Sequence, residues 1–280
     1  MEEVAQKEFS SKLLRKANTI RVGICGNGMV GSAMFHLFPE AKIWDLEASK
    51  SNCHRDDLNT CDIVFLCVPT DGTDEGYNYT PIEKTLEWLE APIIVIKSTV
   101  EPGTTERLRR KYNKNIIFNP EFLRENTRFK DVENESRIII GCRDTDTFKA
   151  VRALYMTKYD HDSVLMVKTS PRIAEMCKIV NNSYFATKVT FCNEINAICE
   201  KLNIDYEELR QIWLLEPRVG VNHTLISEEG GFGGYCLPKD LRALINTSKK
   251  NGYKPKFLEE IWDSNCKFRK NEFGGMEYGN

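Results

Sequence analysis

Short, unbroken apolar runs recur through the first half of the chain, and they constrain its fold more than any other feature. "TIRVGICG" (19–26), "AKIWD" (41–45), "CDIVFLCVPT" (61–70), "APIIVIKST" (91–99), "NIIFNPEF" (115–122) and "SRIIIGC" (136–142) are rich in β-branched and aromatic residues and do not alternate apolar with polar. A strand with one wet face alternates, whereas a strand covered on both faces does not. The segments between the runs are long enough for crossover helices, whose hand is fixed as right-handed. The expected architecture is α/β, a doubly wound parallel sheet.

After Lys168 the pattern changes. "SPRIAEMCKIVNNSYFATKVTFCNEINAICEKL" carries Ile173, Met176, Val180, Tyr184, Phe191, Ile195 and Ile198 at helical spacing, with Ser170 and Pro171 placed as N-cap and first-turn residue. "DYEELRQIWLL" and "PKFLEEIWDSNCKFRK" read as further helices, and the tail "GGMEYGN" as disordered. The expected division is residues 1–168, of which 1–18 are an N-terminal extension, and an all-α domain with a long helix over 169–280.

Composition narrows the partners. A formal net charge of -2 gives no basic field, so neither nucleic acid nor a membrane surface is the expected partner. No apolar run is long enough to span a bilayer and the N-terminus is polar, so a cytoplasmic location is expected. The ten cysteines are scattered with no C-x-x-C pair, and the four histidines are not at ligand spacing, so no metal site is expected. Most thiols lie in apolar strings and read as small buried hydrophobes. Cys236, in "GGFGGYCLPKD", is set among glycines and charges instead.

The first chemical motif is Gly26-Asn27-Gly28-Met29-Val30-Gly31, a G-x-G-x-x-G that follows a strand and opens a helix. Its glycines allow a tight turn and close approach of a pyrophosphate to a helix N-terminus. Asp45 ends the next strand about twenty residues on, where a carboxylate accepts from a ribose 2′-OH. Together they point to a Rossmann-type domain and to NAD rather than NADP. At later strand ends, Val68, Pro69 and Thr70, then Ser98 and Thr99, stand where such a sheet places its ligands, although Ser and Thr there also serve as helix caps. Glu121 and Glu125 add two carboxylates suited to base work or cofactor contact. Lys178 and Asn182, four apart on the long helix and opposite its apolar stripe, form either an oxyanion-binding pair or a solvated face. Cys236 reads as a nucleophile or as a structural thiol after a flexible turn. As a nucleophile it converts an aldehyde into a thiohemiacetal able to lose a second hydride, with Lys239 favouring the thiolate and Asp240 orienting water or the lysine.

"GGFGGYCLPKD" resembles the active-site signature of the UDP-glucose/GDP-mannose dehydrogenase family, and "GNGMVG", "VPT", "KSTVEPGT", "NPEFLRE" and "KIVNNSYFATKVTFCNEI" fall in that family's order. The resemblance implies NAD-dependent twofold oxidation of a nucleotide-sugar primary alcohol to a uronic acid, UDP-glucose to UDP-glucuronate foremost, in polysaccharide biosynthesis. It implies Cys236 as nucleophile, Lys178 and Asn182 as holders of oxyanion and sugar, Thr99 and Asp240 as positioners of the water, and Glu121 as acid/base. Glu121, Phe122, Leu123, Arg124 and Glu125 would wrap the sugar, with Glu125 and Lys239 also near the cofactor. Gly230, Gly231, Phe232, Gly233 and Gly234 would offer backbone N–H groups and clearance to the substrate, and Arg218 would reach it from a neighbouring subunit of a homodimer built through the helical domain. GDP-mannose and a UDP-N-acetylhexosamine are alternative substrates for the same chemistry, and a truncated, non-catalytic NAD-binding or dimerising module is a reading of another class. Relatives continue into a second α/β domain that grips the nucleotide, whereas this chain ends at Asn280, so that domain is expected to be missing. The run from Asp45 to Asp62 is also short where the family inserts further structure.

Overall fold

The computed structural model describes residues 20–73, 76–160 and 162–269. The N-terminal extension, the Gly-rich tail and His161 lie outside them. The chain forms two compact units, one of residues 20–71 and 77–178 and one of residues 72–76 and 179–269 within the described range.

The first unit is built on a seven-stranded sheet. Its strands are β1 (Val22–Cys25), β2 (Lys42–Trp44), β3 (Ile63–Leu66), β4 (Ile93–Ile96), β5 (Ile116–Phe118), β6 (Arg137–Gly141) and β7 (Leu165–Thr169), in the order β2-β1-β3-β4-β5-β6-β7. Helices α1 (Met29–Leu37), α2 (Thr80–Leu86), α3 (Thr104–Tyr112), α4 (Arg128–Glu133) and α5 (Thr145–Tyr155) connect them. Ile24, Ile63, Phe65, Ile93 and Val95 pack with α1 and α5 on one face. Cys25, Val64, Leu66, Ile94 and Ile96 pack with α2 and α3 on the other. Both faces are therefore covered, which is why the runs show no polar alternation.

Two features depart from the sequence reading. The sheet is parallel from β2 through β5, but β6 meets β5 antiparallel at the pair Phe118–Gly141, and β7 follows β6 in parallel. β7 was not anticipated as a strand, because it is an edge whose Leu165, Val167 and Lys168 are exposed and whose composition lacks a buried run.

The order reverses between β1, which feeds β2 on one side, and β3 on the other, so the switch point of this sheet lies at the carboxyl ends of β1 and β3. β2 is the opposite edge of the sheet. The short stretch after it forms 3-10 turns at Ala48–Lys50 and Arg55–Thr60, and Asn52 closes the edge. Its carboxamide accepts from Ile43 N–H (2.8 Å) and donates to the Ala41 carbonyl (3.1 Å), while its own N–H donates to the Ile43 carbonyl (3.0 Å). One side chain thus satisfies backbone groups that a neighbouring strand would otherwise pair, and blunts the edge.

Helix α6 (Pro171–Leu202) runs through the end of the first unit and the start of the second. Ser170 Oγ accepts from Ile173 N–H (3.3 Å), as a cap before Pro171 does. In the first unit Ala174 is fully buried, and the Glu175 carboxylate accepts the N–H groups of Gly103 (2.5 Å) and Thr105 (2.7 Å). Those are first-turn donors of α3, whose N-cap Gly103 has no side chain to serve them.

The second unit adds α7 (Tyr206–Trp213), α8 (Cys236–Lys250) and α9 (Lys256–Phe268). Asp205 caps α7 through the N–H groups of Glu207 and Glu208. Phe232, Leu241, Ile245 and Trp262 share a core with Ala186 of α6. α8 is absent from the sequence reading; its Pro238 suits a first turn, where a missing N–H costs nothing. On α6 the apolar stripe is the exposed one: Ile173, Met176, Val180, Tyr184, Phe191 and Ile198 face outward, and Ile195 alone of that set is half-buried. Lys178 and Asn182 are buried, so they do not form a solvated face.

Candidate active site

In the first unit the chain leaves β1 into Gly26, whose φ of +93° is costly for any side-chain-bearing residue. A Cβ there would stand 2.8 Å from the Cys67 carbonyl oxygen, and one on Gly31 would stand 1.8 Å from the Gly26 carbonyl oxygen. A Cβ on Gly28 would meet nothing within 4 Å. Gly28 is the N-cap of α1 and offers no side-chain cap, so Met29 and Val30 begin a helix whose first N–H groups are not capped by a side chain. Beside this turn Asp45 accepts from Asn27 N–H (2.7 Å) and Glu47 N–H (2.9 Å), while the Asn27 carboxamide donates to the Lys50 carbonyl (2.7 Å). A close-fitting turn, an uncapped helix start and a held carboxylate at the switch point fit a dinucleotide.

At the next strand ends the hydroxyls are engaged. Thr70 Oγ1 donates to the Thr99 carbonyl (2.8 Å) and Ser98 Oγ to the Val68 carbonyl (2.5 Å), tying the segments after β3 and β4 together across Pro69. Thr99 is half-buried.

The loop after β5 turns Glu121 inward. Its carboxylate pairs with Lys178 Nζ of α6 at 2.8 Å, with side chains only 7% and 5% exposed, and accepts from Leu123 N–H at 2.7 Å. The Phe122 ring lies 5.7 Å from Lys178 Nζ and 4.5 Å from the Arg137 guanidinium, within cation–π range. Arg124 and Glu125, by contrast, are exposed, and Arg124 grips Asp131 (2.6 Å), holding that carboxyl down at about 2.

In the second unit Asp240 is fully buried on the first turns of α8. One oxygen accepts from Asn182 Nδ2 (2.5 Å) and the other pairs with Lys239 Nζ (2.7 Å). Gly72 leaves room for the lysine stem, since a Cβ there would lie 3.0 Å from Lys239 Cγ. Cys236 is the first residue of α8 and half-buried. Burial pushes the Cys25 and Cys67 thiols up to about 12 and those of Cys61 and Cys142 to about 11, which makes them inert at neutral pH.

The glycines ahead of Cys236 answer to the chain's own C-terminal helix. A Cβ on Gly230 would lie 2.4 Å from the Phe268 carbonyl, one on Gly231 2.4 Å from Asn265 Oδ1, and one on Gly233 2.1 Å from the Arg269 guanidinium. The N–H groups of Gly230, Gly231 and Phe232 go to the Ser227 carbonyl, Asn193 Oδ1 and Asn265 Oδ1. The N–H groups of Gly230 and Gly231 are therefore taken up internally and Gly230, Gly231 and Gly233 are all closely fitted; Gly234 alone of the four glycines has clear space at its Cβ. Arg218 projects outward, 87% exposed, paired with Glu216.

Sequence reasoning missed Lys97 and Asn119, which are buried in the first unit, and Asn193 and Asn265, which fasten the glycine segment in the second. The available signal was a polar residue at the end of an apolar run, "VIKST" and "IIFNP".

Comparison with known proteins gives the geometry a family. The chain is 33% identical over 223 residues to the UDP-glucose 6-dehydrogenase of Rickettsia bellii, covering 76% of this chain and 51% of that protein. It thus spans about half the length of the curated relatives it matches. Solved structures share its fold, two of which illustrate the match. A UDP-glucose dehydrogenase from Pyrobaculum islandicum has a TM-score of 0.78 at 22% identity, covering 90% of this chain and 69% of that one. A UDP-D-ManNAc dehydrogenase from Pyrococcus horikoshii has a TM-score of 0.76 at 18% identity, covering 88% and 68%. Residues 41–158 match the family's NAD binding domain and residues 172–267 its central domain. NAD is the cofactor of this domain type, in keeping with the turn at Gly26–Gly31. With both domains matched in order, the chain belongs to the UDP-glucose/GDP-mannose dehydrogenase family.

Proposed function

We propose that the chain carries out NAD-dependent, twofold oxidation of a nucleotide-sugar primary alcohol to a uronic acid, with UDP-glucose as the substrate. The observation that carries this reading is a pair of buried polar clusters, Lys178 with Glu121 in the first unit and Asn182 with Asp240 and Lys239 in the second. Buried, hydrogen-bonded charges away from any need of the core are what acid–base and oxyanion chemistry requires. When bound, NAD would supply the hydride acceptor for each of the two oxidations. The protein's residues do the rest. Cys236 adds as thiolate to the aldehyde carbon, Lys178 and Asn182 stabilise the oxygen anion, and loss of the second hydride leaves a thioester. Glu121 takes a proton from the attacking water, which Thr99 and Asp240 position, and the thiol departs from the acid.

Residues 1–168 serve as the NAD-binding domain, with the turn at Gly26–Gly31 and Asp45 holding the cofactor, and residues 169–280 as the helical domain. The outward apolar face of α6 suits a second copy of the chain, which would make the exposed Arg218 available to its neighbour. No helix among the described residues is long and apolar enough to cross a membrane, and a cytoplasmic role in polysaccharide precursor supply accords with the substrate.

A panel of UDP-glucose, GDP-mannose and UDP-N-acetylhexosamines, assayed for NADH, tests this reading. Two NADH per UDP-glucose are expected, and Cys236→Ser is expected to abolish the second while leaving NAD binding. No NADH with any of these sugars would leave only a cofactor-binding or dimerising module.

A further inference from the structure

Lys97 follows β4 with its side chain turned into the protein, 6% exposed as a residue, and its one side-chain hydrogen bond among the described residues goes to Asn119 Oδ1 at 2.9 Å. The same oxygen accepts from the Tyr155 hydroxyl (2.5 Å), and the Asn119 amide donates to the Ile139 carbonyl (2.8 Å), so the carboxamide cannot flip without losing both donors. Lys97 lines a pocket of the first unit together with Glu121, Glu135 and Arg137. Tyr155 at the end of α5 and Tyr159 beyond it face the same pocket, as do Met34 of α1 and Val132 of α4, whose carbonyl accepts from the Tyr159 hydroxyl. Cys67 after β3 and Lys178 on α6 act on Lys97 electrostatically. Burial pulls the Lys97 ammonium below the usual lysine range, and burial likewise raises the Glu135 carboxyl.

Glu121 pairs with Lys178 and shares a pocket with Lys97, whose ammonium it acts on electrostatically, and with Arg137, whose guanidinium lies over the Phe122 ring. Lys178 touches it, but in the proposed chemistry Lys178 must turn its donors to the developing oxygen anion while Glu121 acts as base. A buried carboxylate that loses its paired cation, with no other held nearby, takes up a proton and stops being a base. We propose that Lys97 is a positioning residue for Glu121, the cation that stays in place, locked by Asn119, and keeps Glu121 ionised when Lys178 is engaged elsewhere. This rests on the reading of Glu121 as acid/base, and no covalent step is added to it.

The test separates the two ideas. In protein labelled with 13C at the glutamate carboxyls, with the Glu121 signal assigned by Glu121→Gln, Lys178→Met is expected to leave Glu121 as carboxylate at neutral pH. Lys97→Met combined with Lys178→Met is expected to convert it to the acid. A carboxylate in the double variant, or an acid already in Lys178→Met, overturns the proposal whether or not the chain is a dehydrogenase. Lys97→Met alone, which replaces the ammonium by an apolar group of similar length, covers a double variant that does not fold. It is expected to slow NADH formation about tenfold and to move the acid limb of its pH profile upward, with Lys97→Arg restoring both. An unmoved limb in folded Lys97→Met overturns it equally, whereas absence of NADH from the wild type with every sugar overturns the dehydrogenase reading and leaves the carboxyl signal to decide on Lys97.

Discussion

The two glycine-rich segments look alike in sequence and differ in what their glycines face. In "GNGMVG" the tight contacts are local: Gly31 against the Gly26 carbonyl and Gly26 against the end of β3, with clear space at Gly28 between them. In "GGFGG" the tight contacts are to the far end of the chain, Gly230, Gly231 and Gly233 against Phe268, Asn265 and Arg269 of the α9 region. The first segment shapes a turn and leaves its middle open, as a ligand cradle does. The second is a socket for the protein's own helix end, which places Cys236 at the start of α8 by packing. Glycine content alone does not separate cradle from socket; the neighbour of the missing Cβ does.

Gly31→Ala should have the largest effect. Its methyl would overlap a carbonyl oxygen of the turn, and overpacking costs about 1–3 kcal/mol even where neighbours can yield, which a backbone oxygen in a closed turn does less readily. NAD affinity measured by fluorescence titration is expected to fall roughly 30-fold or more, together with a lowered Tm. Gly231→Ala should come next and read only on stability. Its φ of +58° adds strain of ~1 kcal/mol. The methyl would also displace Asn265, whose carboxamide bonds both the N–H and the carbonyl of Phe232, at about 1 kcal/mol per bond. A Tm lowered by about 5–10 °C with NAD affinity unchanged is the expected outcome. A loss of NAD binding in Gly231→Ala would erase the contrast between the segments.

The contrast also marks what was readable from residues alone. Strands β1 to β6 were legible because burial on both faces forces continuous apolar runs, and Ser170-Pro171 announced α6 because capping is local chemistry. β7 was not legible, since an edge strand tolerates exposed residues, and nothing in the residues of β6 encodes that it runs against β5. The apolar stripe of α6 was visible but its direction was not. Periodicity finds a face, and only the partners decide which face is covered; here Asn182 and Lys178 lie inward because Asp240 and Glu121, far away in sequence, meet them. The Gly26–Gly31 turn was legible as a motif because its spacing and its strand–helix context are both local. The internal partners of Gly230–Gly233 were not, because α9 lies beyond the motif.

Gly28→Ala makes the smallest structural change and the sharpest test. The backbone there is extended, φ −83° and ψ −153°, which alanine adopts without strain, and the added methyl meets no protein atom within 4 Å. As N-cap, alanine is less favourable than glycine by about 0.5–1 kcal/mol. Tm is therefore expected to fall by no more than about 3 °C. If a pyrophosphate lies against this turn, the same methyl occupies the space its oxygens need, and NAD affinity is expected to drop about tenfold. The fold is then unchanged while binding is not, a pattern no internal packing role can produce. Unaltered NAD affinity in Gly28→Ala would mean that the open middle of the first segment is not where the cofactor's phosphates rest, and that cradle and socket differ less than their geometry indicates.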